Sequence, residues 1–497
     1  MIKPPKPPQL LLPHSKDLVF IFFFYLVLIL GTGFFRDGDP GRHITFGQYI
    51  LTTGNTPTED IFTYTTVGIY LPLYEWLSQI IFGVAHNLLG LGGVIVVSAF
   101  LIAAMLTLTY QEFLRRKLPT LAAFVLVCWL GVLTMVHWAA RPHLFSLFFI
   151  TIMASWLARL ASGEKIPIWW FPSLMVVWVN THGAAFTLIF LLWVAYIIGN
   201  FWDSWRSRSP IWNPAMKGLL FSGTLTLAAT FVNPAGWRLW EFVLAFVGNS
   251  YLIEVAAETR SVDFHGLRSY PFLLTLMVML LLLSRSQQKR PMAESLLLVG
   301  WMALGLSGYR NIPIYGLVTF PILAEHLRPF VENVRWVMRP SQVIEQLERG
   351  LRGYFWSTAV SLILVAMLAS GAKFDPPKQG YHFNQYEFPV HALDWLEENP
   401  QKGHMFNYFP WGGYMIYRIW PEYSMFIDGQ MIYVESLVRD YHQVLNAEAG
   451  WEGVIQRYEI DWMLVPDDSR IVHELRNSTS WLIIYEDNVA VILRQEK

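Results

Sequence analysis

Two aspartates, Asp37 and Asp39, flank one glycine directly after the first long apolar run of the chain. Carboxylates this close at a membrane face could share a divalent cation, magnesium or manganese, or set one acid as a general base. The plainer alternative is a pair of solvated charges at a span end. Pro40–Gly41 turns the chain there and keeps both acids at the bilayer surface. Arg141 and His143 stand at the end of another apolar run. A planar guanidinium in that place can grip two phosphate oxygens at once, although a snorkelling or capping arginine has the same sequence. Asn180, His182 and Gly183 form a hairpin tip, where His182 could meet a phosphate or the loop acids, or simply serve the turn. Arg310 interrupts a long uncharged stretch beside Asn311. An arginine there is costly in lipid and predicts a cavity, a phosphate or an acidic partner. Glu254, Glu258, Arg260, Asp263 and His265 fall in a polar segment long enough to fold over a site; Glu258 and Asp263 are its candidates, with a solvated loop as the alternative.

These groups need elements to hold them, and composition says which. Apolar residues make up 54% of the 497 residues and charged residues 15%, against roughly 25% in soluble domains. Mean hydropathy is +0.37. Stretches such as 18–35, 77–111 and 353–372 carry no charge over about the length of a bilayer crossing. The chain reads as an integral membrane protein. The net charge of −1 says nothing about nucleic acid, no basic stripe argues for it, and none is expected as a partner. Cys128 is the single cysteine and lies in an apolar run, so no intrachain disulfide or thiolate metal site exists.

About eleven apolar segments can be laid so that nearly every Lys/Arg cluster falls on one side. The basic start, QEFLRRK, ASGEK, DSWRSRS, SRSQQKR and residues 326–352 then face the cytoplasm. The acids, histidines and asparagines face outward, with residues 36–76 as the first outer loop. Three of these segments are only about 14 residues long, short of a comfortable span. From 373 the pattern changes to alternating apolar strands (SMFIDG, WMLVP, WLIIYEDNVAVILR) and a helix, VHALDWLEEN. The expectation is a transmembrane domain over 1–372 and an extracytoplasmic α/β domain over 373–497.

The first loop continues past its acids as GQYIL, then GNTPTEDIFTYTTVG, then YEWL. With Asp37, Asp39, His43, Gly47, Ile50, Pro57, Asp60, Phe62, Thr65, Gly68, Glu75 and Trp76 in place, it resembles the first loop of bacterial GT-C glycosyltransferase-like membrane proteins. Thr63 stands where serine is common, and Pro40–Arg42 replace an aromatic-rich run. The resemblance extends to RPHLFS (141–146), NTHGA (180–184), NPAG (233–236), RNIPIY (310–315) and FNYFPWGGY with FIDGQ (406–430). It implies a GT-C-like polytopic helical fold with a C-terminal soluble α/β domain, in a bacterial inner membrane. It further implies a polyprenyl-phosphate-linked sugar as donor and a first-loop acid that acts as base or orients the acceptor. Asp39 is the first choice for base or metal ligand and Asp37 the second. His43, Asp60, Glu75, Arg141, His143, His182, Glu258 and Arg310 would bind substrate.

The expected activity is inverting glycosyl transfer to an acceptor at the outer face. A non-catalytic scaffold or assembly subunit of the same fold, and less so a lipid or solute transporter, are the alternatives. A transporter more often carries ionisable groups near mid-span; here they gather at span ends.

Overall fold

The structure is a computed structural model and describes residues 12–183, 186–255, 257–286, 289–351, 353–430 and 434–496. The basic start at 1–11, Ala184 of the hairpin tip and two glutamines of SRSQQKR lie outside the described residues.

The helices run α1 (Ser15–Ile29), α2 (Asp39–Thr53), α3 (Trp76–Leu89), α4 (Leu91–Arg115), α5 (Thr120–Thr134), α6 (His143–Ala161), α7 (Trp170–Thr181), α8 (Thr187–Arg206), α9 (Pro214–Ala229), α10 (Arg238–Val247) and α11 (Ser250–Val255). They continue as α12 (Tyr270–Arg285), α13 (Met292–Ser307), α14 (Ile312–Val331), α15 (Arg335–Glu348) and α16 (Phe355–Ala369). The tail holds α17 (Val390–Glu398), α18 (Gly412–Ile419), α19 (Glu435–Leu445), α20 (Trp451–Arg457) and α21 (Arg470–Leu475) around four strands. These are β1 (His404–Asn407), β2 (Ile460–Pro466), β3 (Trp481–Glu486) and β4 (Ala490–Gln495), in the order β1-β2-β4-β3. β1 and β2 are parallel, and the other two pairings are antiparallel. The expected α/β tail is therefore present.

Among the described residues, five helical stretches are long and apolar enough to cross a membrane: Leu91–Arg115, Thr120–His137, His143–Ala161, Thr187–Arg206 and Leu267–Arg285. Shorter apolar helices stand beside them, so eleven comparable spans are not what the helix lengths give. One reason is local. The apolar run 77–111, expected as part of a single crossing, breaks at Gly90, whose φ of +60° suits glycine. The first half, α3, packs instead on α2, where Gly47 and Gly83 let the backbones touch. Its His86 Nε2 meets Tyr417 Oη of α18 at 3.0 Å.

The sorting of charge does appear in space. Arg115 pairs with Glu164 at 3.1 Å, and Arg116 with Glu294 and Glu325 at 3.0 and 2.8 Å. The basic ends of α4, α6 and α14 thus meet at one end of the bundle. Asp37, Asp39, Arg141, His182 and Arg310 meet at the other, under the tail. In intact cells, a cysteine at the exposed Tyr386 should react with an impermeant maleimide, and one at the exposed Ser209 should not. Equal reaction of both would overturn the sidedness.

Candidate functional site

The acids sit where α1 ends. A 3-10 turn, Gly31–Phe35, closes the helix, and the chain re-enters α2 with Pro40 in its first turn. That is the helical position at which proline sacrifices no hydrogen bond. Asp37 Oδ1 accepts from the Asp39 amide at 3.2 Å. Arg141, between a 3-10 turn (Met135–His137) and α6, reaches both acids. Its Nη2 lies 2.5 Å from Asp39 Oδ2, and its Nη1 lies 3.7 Å from Asp37 Oδ2. Nη1 also donates to Glu258 Oε1 at 2.7 Å. One guanidinium thereby gathers acids from two segments far apart in sequence. Arg141 holds the Glu258 carboxyl down at about 2, whereas burial pushes Asp37 up to about 7 against the pull of the same arginine.

Glu258 arrives on the segment that follows α11. The helix before it, α11, is tied to the tail domain at its start: Asn249 Nδ2 donates to Glu435 Oε2 at 2.7 Å, and Arg439 lies 3.8 Å over the Tyr251 ring.

A fourth acid, Glu75, precedes α3 and lies between two histidines. Oε1 is 3.7 Å from His182 Nε2 and Oε2 is 3.9 Å from His43 Nδ1. Trp178 Nε1 can only donate, and it donates to Ser146 Oγ at 2.7 Å. Ser146 Oγ is also 2.7 Å from His182 Nδ1. The simplest assignment has the hydroxyl donating to Nδ1, which leaves the His182 proton on Nε2, facing Glu75. Burial, then Arg310 and Arg141, pulls His182 down to about 3. Burial also lowers His43 well below its ordinary value and raises Glu75 to about 7. Two neutral imidazoles therefore flank a carboxyl poised near neutrality.

Arg310 sits in the 3-10 turn Tyr309–Asn311 between α13 and α14. It lines the same cavity, and among the described residues no carboxylate lies within ion-pair distance of it. Arg141 is spoken for by acids; Arg310 is not.

The tail domain supplies the opposite wall through Phe409, Pro410, Gly429 and Gln430. Its approach needs glycine. A Cβ on Gly413 would stand 2.3 Å from the Gly38 carbonyl oxygen, and one on Gly429 would stand 2.3 Å from Asp39 Oδ1. Behind this seam Arg42 Nε donates to Asp428 Oδ2 at 2.9 Å, with side chains 4% and 0% exposed. The enclosed volume is about 370 Å³.

Asp37 and Asp39 have Arg141 as their positive partner, and no group of three or more His, Cys, Asp or Glu among the described residues is placed to hold a metal ion.

No family model matches the chain, and no curated protein matches it. Solved structures do. An oligosaccharyltransferase of Archaeoglobus fulgidus in the apo form superposes with a TM-score of 0.58 at 12% identity, over 90% of this chain and 69% of that one. The Archaeoglobus fulgidus oligosaccharyltransferase AglB, in complex with an inhibitory peptide and a dolichol-phosphate, gives 0.56 at 11%, over the same shares. ArnT from Cupriavidus metallidurans bound to undecaprenyl phosphate gives 0.48 at 12%, over 96% and 97%. This chain has the fold of these oligosaccharyltransferase structures.

On that scaffold, nine of the residues singled out by sequence share the cavity: Asp37, Asp39, His43, Glu75, Arg141, His143, His182, Glu258 and Arg310. His143 donates from Nε2 to the His137 carbonyl at 2.6 Å, which anchors the start of α6. Asp60 stands apart. Its Oδ2 accepts from the Thr63 amide, Thr63 Oγ1 and Thr66 Oγ1 at 2.8, 2.5 and 3.1 Å, so it organises the loop. It borders a smaller pocket shared with Arg42. Asp263 and His265 pair with each other at 2.9 Å in solvent, away from the cavity. Sequence reasoning did not single out Arg42, His137, Ser146 or Gln430. A second histidine ahead of RPH was a readable signal for His137; the FIDGQ glycine beside an acid was one for Gln430.

Proposed function

We propose that this protein transfers a glycosyl group from a polyprenyl-phosphate carrier to an acceptor at the outer face of a bacterial inner membrane. The observation that carries this reading is Arg310, a guanidinium without a carboxylate partner among the described residues, in one cavity with Asp39 and Arg141. The similarity to AglB, solved with a dolichol-phosphate, supports a lipid-linked donor. The donor phosphate would meet Arg310, and the acceptor would enter along the tail-domain wall.

The chemistry is a direct displacement. The acceptor oxygen or nitrogen forms a bond to the anomeric carbon as the bond from that carbon to the phosphate oxygen breaks. The electron pair leaves on the phosphate, where Arg310 offsets the growing charge. Asp39 takes the acceptor proton. Arg141 fixes Asp39 in position. Inversion at the anomeric carbon follows from the single displacement.

Mass spectrometry of lipid retained through purification tests the reading, with a polyprenyl-phosphate-linked sugar as the expected species. Arg310→Lys keeps the charge and loses the two-pronged geometry. It should reduce retained polyprenyl phosphate about tenfold, the size of one charge-assisted hydrogen bond. Retention at the wild-type level in Arg310→Lys and Arg310→Ala alike would remove the phosphate site and leave a non-catalytic scaffold as the better reading.

A further inference from the structure

The end of the bundle away from the cavity carries a second feature. Between α5, α12 and α14 lies a groove of about 340 Å³. Leu121 and Val125 of α5, Leu274 and Val278 of α12 and Leu327 of α14 form its walls, and Trp336 of α15 stands at its mouth. At its other end Trp129 Nε1 donates to Thr275 Oγ1 at 2.9 Å, so these two polar groups satisfy each other and offer nothing to a polar ligand. The groove opens sideways: Val125 is 62% and Trp336 74% exposed. α5 and α12 both belong to stretches apolar enough to cross a membrane, so this opening faces hydrocarbon.

Charge enters at α15. Its residues fall into three stripes at helical spacing. Val337 and Ser341 are buried against the bundle, where Ser341 Oγ accepts from the Leu121 amide at 3.1 Å. Trp336, Val343 and Leu347 form an exposed apolar stripe. Arg335 and Arg339 edge that stripe on its far side and are exposed. The acids of this helix are already committed. Glu345 Oε1 accepts from Thr120 Oγ1 at 3.5 Å, and Glu348 meets the Ser15 amide and His14. Among the described residues Arg335 and Arg339 have no carboxylate within ion-pair distance. An apolar stripe bordered by unpaired arginines is the arrangement of a helix lying in a bilayer interface, and its guanidinium groups rise to the level of lipid phosphates.

We propose that this groove is a binding site for an anionic phospholipid, one acyl chain lying between α5, α12 and α14 and the phosphate meeting Arg335 and Arg339. A zwitterionic lipid brings its own cation beside the phosphate and gains less from two unpaired arginines.

The test is native mass spectrometry of the purified full chain titrated with phosphatidylglycerol or with phosphatidylcholine of the same acyl chains. Wild-type protein should bind phosphatidylglycerol more tightly, with saturation. Arg335→Gln/Arg339→Gln should weaken phosphatidylglycerol about tenfold or more and leave phosphatidylcholine unchanged, since each basic residue near a lipid surface is worth about a factor of five. Val125→Trp fills the groove from an exposed position and should weaken both lipids. Equal affinity of the wild type for the two lipids overturns the proposal, as does unchanged phosphatidylglycerol binding in the double arginine variant. Neither outcome bears on glycosyl transfer at the opposite end.

Discussion

Asp39→Asn is expected to abolish glycosyl transfer while the protein still folds and still retains its lipid. A carboxylate that accepts a proton in the transition state is worth roughly 10²-fold or more in rate, and an amide of the same shape cannot accept it. The structural cost is small by comparison. Asp39 is one of three acids on Arg141, its side chain is 25% exposed, and Glu258 keeps its own contact at 2.7 Å. Losing one such interaction should cost about 1 kcal/mol, or a few degrees in melting temperature for a chain of ordinary stability. Asp37→Asn should do less to the rate. Its carboxylate is 3.7 Å from Arg141, and its side chain is 40% exposed. Single-turnover transfer and a thermal melt of each variant decide the matter. Wild-type rates in both variants would remove the catalytic role of the loop acids.

The largest expected effect on stability lies at Arg42 and Asp428. Burial pushes Asp428 up to about 6 even with Arg42 beside it, so the ion pair is held at some expense of solvation. Removing one partner leaves the other's charge uncompensated in a dry seam. Arg42→Met or Asp428→Asn should each cost about 3–5 kcal/mol, read as a large fall in melting temperature with release of the tail from protease protection. The double variant Arg42→Met/Asp428→Leu should recover much of that loss, because apolar replacement of a buried pair is often neutral or better. Single variants that melt with the wild type would show that the seam is held elsewhere, at its glycine contacts.

The site was legible where chemistry is expensive. Arg141 and Arg310 stand out because a guanidinium beside apolar runs demands a reason, and both line the cavity with Asp37 and Asp39. Asp60 was less legible. An aspartate followed by threonines three and six residues on suits substrate binding and a hydrogen-bonded turn equally well by type, and the turn took it. Arg42 and Asp428 are 386 residues apart, and no local pattern pairs them. The count of spans was the weakest inference, since apolar length alone does not reveal the turn at Gly90 that sends α3 along α2. The tail domain was legible as strands and helix from period-two patterning. Its place as a wall of the cavity was not, because the glycines that permit the contact carry no side chain to read.

The wall at Gly429 also sets a clock. At roughly 5–20 residues per second, the 386 residues between Arg42 and Asp428 take about 20–80 seconds to synthesise. Arg141, Glu258 and Arg310 are made within that interval, so over its last part the membrane half exists with its acids beside Arg141 but without the surface that closes over them. A nascent chain therefore holds an open, unfinished half-site. The cavity gains its second wall only when the last quarter of the protein has folded onto the first.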